Sequence, residues 1–338
     1  MKIDYFEPKD YDELLAFSKK VWPQKSEEYL KYRLFQFPEH VEDNRFNLLV
    51  KNDNNKIVGC TLYFPTRVKI NGNEEKIFWS HDMIVEDQYK GAAGLLLIIE
   101  MTKNESTFGF GTSNINLKIQ KELGTKFIGL ADLYLIFNIW SFRLLLIKLK
   151  LMGVSESNNY NFPNKLKVGK DIFNKTSNVN ELNIPNKGYW SDENINIDFV
   201  RDEHFLKNRF FENFNKYYFY KLEIDNSTNT DECYFVVRPA IEGGFLVLSI
   251  VDFRFNFKKP EQYGLILKAA AKLGKQNKFP LVTLRTTVKF KKLNLYPLIY
   301  RTNRQQHILT YFPVDTNLKL FVTEADSDSD FLPEKYPY

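Results

Sequence analysis

The sequence predicts an α/β protein made of two successive domains, each a mixed, mostly antiparallel sheet flanked by helices. Three observations point there. Over residues 10–134 the hydrophobic spacing switches between the helical period and strand-like runs, in the order helix, helix, three strands, turn, helix, strand, helix, strand. The stretch from Ile77 runs as an apolar strand to Val85, then through a turn of small residues, Gly91, Ala92, Ala93 and Gly94, into a helix opening at Leu95. After a polar interval, the order strand, strand, helix, strand returns between residues 233 and 302. At 338 residues the chain exceeds the usual single-domain size, so two domains are expected.

Taken in order, Leu14, Leu15, Phe17 and Val21 recur at helical spacing and the helix breaks at Pro23. A second helix is expected from Ser26 to about Phe35, ending before Pro38. Strands at 47–51 and 56–64 are separated by Asp53, Asn54 and Asn55, residues that tolerate the left-handed backbone of a tight turn. Asn71, Gly72 and Asn73 mark another turn, which delivers the chain into the strand at 77–85. A short strand within 106–114, a helix from Ile115 to Leu123 closed by Gly124, and a strand at 125–134 complete the first half.

Leu133 to Met152 is the longest hydrophobic run outside the stretch from Ile77 to Lys103. Asn138, Arg143, Lys148 and Lys150 interrupt it, so it predicts a helix in the core or between domains, or one lying at a membrane surface, and no integral membrane segment. Residues 155–194 are polar and rich in Asn, which predicts a connection or lid with little core of its own. The apolar pattern then returns at 204–222, 233–241, 244–253, 260–276, 280–287 and 297–302. From Glu324 the chain is acidic and proline-bearing, and a mobile or lightly packed tail is expected. These shifts divide the chain at 1–154, 155–194, 195–322 and 323–338.

Composition limits the functions. The net charge of +5 is mild, and no basic stripe alternates with aromatics, so nucleic acid is not an expected partner. Cys60 and Cys233 stand far apart without metal or redox spacing, and no metal site is expected. With no signal-peptide pattern, the expectation is a reducing cytoplasm.

The small-residue turn has the grammar of an anion cradle. Residues without large side chains let backbone N–H groups approach a phosphate, and the positive end of the following helix favours its charge. Three fragments then resemble the GNAT superfamily of acyl-coenzyme A transferases over about residues 1–140. They are VEDQYKGAAG at 85–94, GFGTSN at 109–114 and KELGTKFIG at 121–129. The first resembles the Gln/Arg-x-x-Gly-x-Gly/Ala pyrophosphate loop in two registers: one uses Gln88, Gly91 and Ala93, the other counts from Val85 and uses Lys90, Ala93 and Leu95. DEHFLKNRF at 202–210 is similar to the element that opens the second half of tandem GNAT proteins, so residues 195–322 are expected to form a diverged GNAT-like domain. The segment before its helix, Arg254 to Pro260, has no Gly, and its bulky side chains would keep a pyrophosphate off the backbone.

The resemblance implies an acyl-CoA co-substrate, acetyl-CoA being the expected donor, held by backbone groups of Met83, Ile84 and Val85 and by the turn at Gln88, Tyr89, Lys90, Gly91, Ala92, Ala93 and Gly94, with Asn114 a further contact. Transfer to an amine needs a base, an oxyanion donor and an acid for the leaving thiolate. Asp82 and His81 are the candidate bases; adjacent on one strand, they face opposite ways, so at most one can look into an acceptor pocket. The family's frequent acid, a Tyr, is replaced by Gln120, which leaves Tyr134 as the substitute candidate. Arg209 and Arg238 are candidates for gripping an acidic acceptor, or for structural ion pairs. The implied function is an N-acyltransferase acting on a small-molecule amine, for which resemblance to other tandem proteins suggests an amino sugar of a surface polysaccharide or cell-wall pathway. The alternatives are a FemABX-like aminoacyl transferase and a degenerate domain pair that binds a ligand or partner without catalysis.

Overall fold

The structure, a computed structural model, describes residues 1–36, 47–80, 83–103, 106–110, 114–137, 162–163, 165–168, 176–178, 195–224, 231–242, 245–289, 298–310, 319–326 and 334–335. In chain order its strands and helices begin β1 (Lys2–Tyr5), α1 (Tyr11–Val21), α2 (Glu27–Lys31), β2 (Leu48–Lys51), β3 (Ile57–Thr61), β4 (Tyr63–Ile70), β5 (Asn73–Ser80), β6 (Ile84–Val85), α3 (Lys90–Thr102), β7 (Thr107–Phe110), α4 (Asn114–Glu122) and β8 (Lys126–Phe137). They continue with β9 (Thr176–Asn178), β10 (Ile197–Phe199), α5 (Glu203–Phe210), β11 (Tyr218–Ile224), β12 (Asp231–Glu242), β13 (Phe245–Arg254), α6 (Glu261–Gln276), β14 (Val282–Thr286), β15 (Leu298–Thr310), β16 (Leu320–Phe321) and β17 (Glu334–Lys335).

Two compact units result, neither continuous in sequence. The first comprises 1–130, 194–200 and 306–320; the second takes 131–193, 201–305 and 321–338.

In the first unit, β1, β2, β3 and β6 form an antiparallel sheet, and a second sheet runs β10, β4, β5, β7. The hairpin turns have the backbone their residues suggest: Asn55 and Asn71 carry φ of 59° and 51°, and Gly72 one of 87°. Within the second sheet only β5 and β7 are parallel, and α3 makes the crossover between them. Helix α3 stays on the sheet because Ala93, Leu97 and Met101 recur on one side and pack with Leu48, Val50, Val58, Tyr63 and Phe78. Burying side chains such as Leu97 and Met101 contributes roughly 1.5–3 kcal/mol each. An aromatic group fills the other sheet, where Trp79 stacks on Phe199 at 5.0 Å and meets Phe108 edge-on at 5.7 Å.

The second unit repeats the plan. β11, β12 and β13 are antiparallel neighbours, β13 and β14 are parallel with α6 as the crossover, and the end of β8 adds antiparallel to β14. Asp202 caps α5 by accepting the Phe205 N–H at 2.8 Å. Tyr263 of α6 stacks on Phe253 and Phe255 at 5.1 and 4.9 Å.

Several expectations change. Leu133 to Phe137 belong to β8, so the hydrophobic run begins as a strand and not as a helix, while residues 138–161 lie outside the described residues. A continuous apolar run fits a buried strand as well as a helix, which is why its spacing misled. Glu324 and Asp326 are not in a lightly packed tail: they are 0% and 5% exposed and hydrogen-bonded inside the second unit. Most of the polar connection at 155–194 lies outside the described residues.

Candidate active site

Among the described residues, the first unit opens a gap at the end of its parallel pair. β5 and β7 pair through Phe78–Thr107, Trp79–Phe108 and Ser80–Gly109. Beyond that point the chain of β5 changes sheets: β6 pairs with β3 through Gly59–Val85 and Cys60–Ile84, while Phe110 of β7 stays paired to Ile308. β6 is thereby the edge strand of its sheet. The Glu86 N–H donates to Val58 O at 3.0 Å, so Glu86 spends its main-chain donor on β3. Alternation then turns the N–H and C=O of Val85 the opposite way, toward the opened side. Met83, partly buried, packs beside it against the α3 core.

The turn after β6 is tighter than expected. Residues 87–89 form a 3₁₀ turn, and α3 starts at Lys90 rather than Leu95, which places Gly91 to Gly94 inside its first turns. The Tyr89 N–H bonds Glu86 O at 2.9 Å, and the Lys90 N–H bonds Asp87 O. From Ala93 onward the amides enter the helix ladder. The preceding turn takes the Tyr89 and Lys90 donors, and helix geometry leaves the amides of Gly91 and Ala92 outside the i→i−4 ladder.

Both remaining residues are exposed, and a Cβ placed on Gly91 would meet nothing within 4 Å. The side chain of Tyr89, the N-cap residue, makes no capping hydrogen bond. Nearby carboxylates are neutralised in place: Lys20 and Gln88 hold Glu86 at 2.8 and 3.1 Å, and Lys90 holds Asp87 at 2.6 Å. An anion placed at this turn would meet the amides of Gly91 and Ala92 and the helix dipole, with Lys90 and Gln88 on the exposed rim. Ala93 is fully buried in the core, and Gly94 is buried behind it.

The candidate bases His81 and Asp82 lie outside the described residues. Asn114 opens α4, but its side chain lies outside them too. Gln120, at the position of the missing acid, is 5% exposed in that helix. Tyr134 belongs to the second unit, where its hydroxyl donates to the buried Asp132 carboxylate at 3.2 Å. Arg209 is structural, donating to Ala325 O at 3.2 Å and to the Tyr217 hydroxyl at 2.9 Å. Among the described residues no group of His, Cys, Asp and Glu could hold a metal ion, and no helix is long and apolar enough to cross a membrane.

In the second unit the corresponding gap is filled. β13 and β14 pair through Leu248–Val282 to Ile250–Leu284, and then Thr286 bridges Thr323 instead. Thr286 Oγ1 donates to Val322 O at 2.8 Å, and Thr323 Oγ1 reaches across to Asp252 at 2.7 Å. Arg201 ties this insert down, bonding Asp252 at 3.0 and 3.3 Å and also Asp326. Burial alone would raise the Asp252 pKa, but the guanidiniums of Arg201 and Arg254 outweigh it and hold it below the usual carboxylate value. Asp326 goes the other way, pushed up by burial despite Arg201. Sequence reasoning missed this insert, and the only signal for it, the acidic composition after Glu324, points to solvent.

Comparison with known proteins bears on the fold. No protein-family model matches the sequence, and no curated protein matches it. Solved structures do. N-myristoyltransferase from Saccharomyces cerevisiae, with bound myristoyl-CoA and inhibitors, superposes over 92% of this chain and 80% of its own, at 10% identity and a TM-score of 0.58. The GCN5-related N-acetyltransferase from Anabaena variabilis matches over 91% of this chain and 71% of its own, at 12% identity and a TM-score of 0.54. The one from Kribbella flavida gives 92% and 72%, 11% identity and a TM-score of 0.53. The chain thus has the fold shared with GCN5-related N-acetyltransferases and N-myristoyltransferase.

Proposed function

We propose that the first unit binds an acyl-CoA, acetyl-CoA being the donor expected, and transfers its acyl group to the amine of a small molecule. The observation that carries this is the pairing of an opened strand edge at Val85 with two uncommitted helix-start amides at Gly91 and Ala92. The amides and the rim residues Gln88 and Lys90 would take the pyrophosphate. Val85 would hold the pantetheine arm by its N–H and C=O. That fixes the thioester beside the end of β5, where a donor to the carbonyl oxygen stabilises the oxyanion.

The amine, deprotonated by Asp82 or His81 directly or through water, adds to the thioester carbon. The tetrahedral oxyanion collapses and the carbon–sulfur bond breaks, releasing the coenzyme thiolate, a tolerable leaving group near neutral pH. The Tyr134 hydroxyl already donates to Asp132, so we assign protonation of the thiolate to solvent. The second unit, its gap filled by Thr323 and its neighbours, takes no coenzyme. An amino sugar remains the acceptor class to try first, and the cytoplasm the expected location.

The test is thermal unfolding with acetyl-CoA followed by thiol release with a panel of amines. At 100 times its Kd the coenzyme stabilises the fold by about 2.7 kcal/mol. No shift at millimolar coenzyme sinks the proposal. A shift without thiol release for any amine, amino-sugar nucleotides included, leaves binding without transfer.

A further inference from the structure

The second unit holds a polar site that acyl transfer does not use. On its sheet, Val282 lies against α6 so closely that a Cβ on Gly274 would come within 2.7 Å of its side chain. Its neighbours on β14, Thr283 and Arg285, therefore face away from α6. Ser249 pairs with Thr283 and Arg238 with Ser249, so three strands carry a polar row on that face, with Glu242 an even number of residues along β12. Glu324 joins it, accepting from Ser249 Oγ at 2.7 Å.

These groups are buried but not spent. Arg238, Glu242, Thr283 and Arg285 are 4%, 8%, 0% and 7% exposed. Arg238 Nη1, Glu242 Oε2, Thr283 Oγ1 and Arg285 Nε have no hydrogen-bond partner. Arg285 is ion-paired with Glu242 and Glu324 at 3.7 Å each, beyond the hydrogen-bond range of about 3.2 Å, and Arg238 Nε donates to Pro239 O at 3.3 Å, so these charges have neighbours but the four named atoms keep unused hydrogen-bonding capacity. A buried polar atom left without a hydrogen bond is unfavourable, and four of them on one face, beside long ion pairs, point to an occupant that completes their bonds.

The charges select the occupant. Two guanidiniums and two carboxylates sum to zero. A monoanion would serve the arginines and leave Glu242 without a donor, and a monocation would do the reverse. A molecule carrying both charges serves both and keeps the site neutral. We propose that this face of the second unit binds a free α-amino acid, its carboxylate on Arg238 and Arg285, its ammonium on Glu242, and the Thr283 hydroxyl on the carboxylate. The inference does not depend on coenzyme binding in the first unit.

The experiment is calorimetric titration of the full chain with each of the common α-amino acids, with acetate and methylamine as single-charge controls. At least one amino acid is expected to bind and both controls to fail. Thr283→Val, which keeps the shape and all charges, should weaken that binding about tenfold, the equivalent of one hydrogen bond. Glu242→Gln and Arg285→Met should abolish it while a cooperative unfolding transition persists. No binding by any amino acid at millimolar concentration would mean that ordered water fills the site and would overturn the proposal. So would binding left unchanged by Thr283→Val, or acetate binding as tightly as the amino acid.

Discussion

Thr323 donates its hydroxyl to the buried carboxylate of Asp252 at 2.7 Å, and this contact closes in the second unit the gap that, among the described residues, is open at β6 in the first. Two units built on the same strand, crossover helix and parallel strand thus differ in what lies beyond the parallel pair. In one, the edge of β6 is unpaired among the described residues. The other has placed its own residues 321–326 there.

The insert depends on Arg201, whose side chain is 1% exposed between Asp252 and Asp326. Arg201→Met removes the guanidinium hydrogen-bonded to both buried carboxylates, leaving only Arg254 nearby, and should cost about 3–5 kcal/mol in urea unfolding. Acid should act through Asp252. Its depressed pKa means that its ionised form contributes stability above the unfolded value of about 3.9, lost as the pH falls from there through the folded value. Asp326, with a raised pKa, has the opposite sign and is relieved by protonation. Asp252→Asn should therefore lower stability at neutral pH and flatten its decline below about pH 4, as measured by unfolding across that range.

Gly274 is a steric necessity of α6. A methyl group there would meet Val282 Cγ2 at 2.7 Å, so Gly274→Ala should cost about 1–3 kcal/mol by overpacking, although alanine is the better helix former. A variant as stable as the parent in thermal unfolding would contradict this packing.

Tyr134→Phe removes the hydrogen bond to Asp132 at 3.2 Å. Stability should fall by about 0.5–1.5 kcal/mol while kcat stays within a few-fold. A general acid would show itself by a loss of about 10²–10⁴-fold in kcat.

Much of this architecture is legible in the residues. The helical spacing of Leu14 and Phe17, the Asn55 and Asn71 turns and the crossover helix after Val85 all stand where periodicity and turn chemistry put them. The start of α3 is less legible, because Gly and Ala suit both a turn and the first turn of a helix; the 3₁₀ bonds at Tyr89 and Lys90 decide it. The filled gap is not legible at all. Asp326 sits 125 residues from Arg201, and an acidic run carries no sign of a distant cation. The same limit applies to Arg238, Glu242 and Arg285, whose convergence follows from strand register and not from spacing.

The central claim is that the amides of Gly91 and Ala92 hold the coenzyme's phosphates. Gly91→Asp tests it most directly, because the site is open, an added side chain meets nothing within 4 Å, and an acidic residue suits the first turn of a helix. The variant should fold as stably as the parent, lose the thermal shift with acetyl-CoA, and keep it in the Gly91→Ala control. A Gly91→Asp protein that binds acetyl-CoA with unchanged affinity would contradict the account.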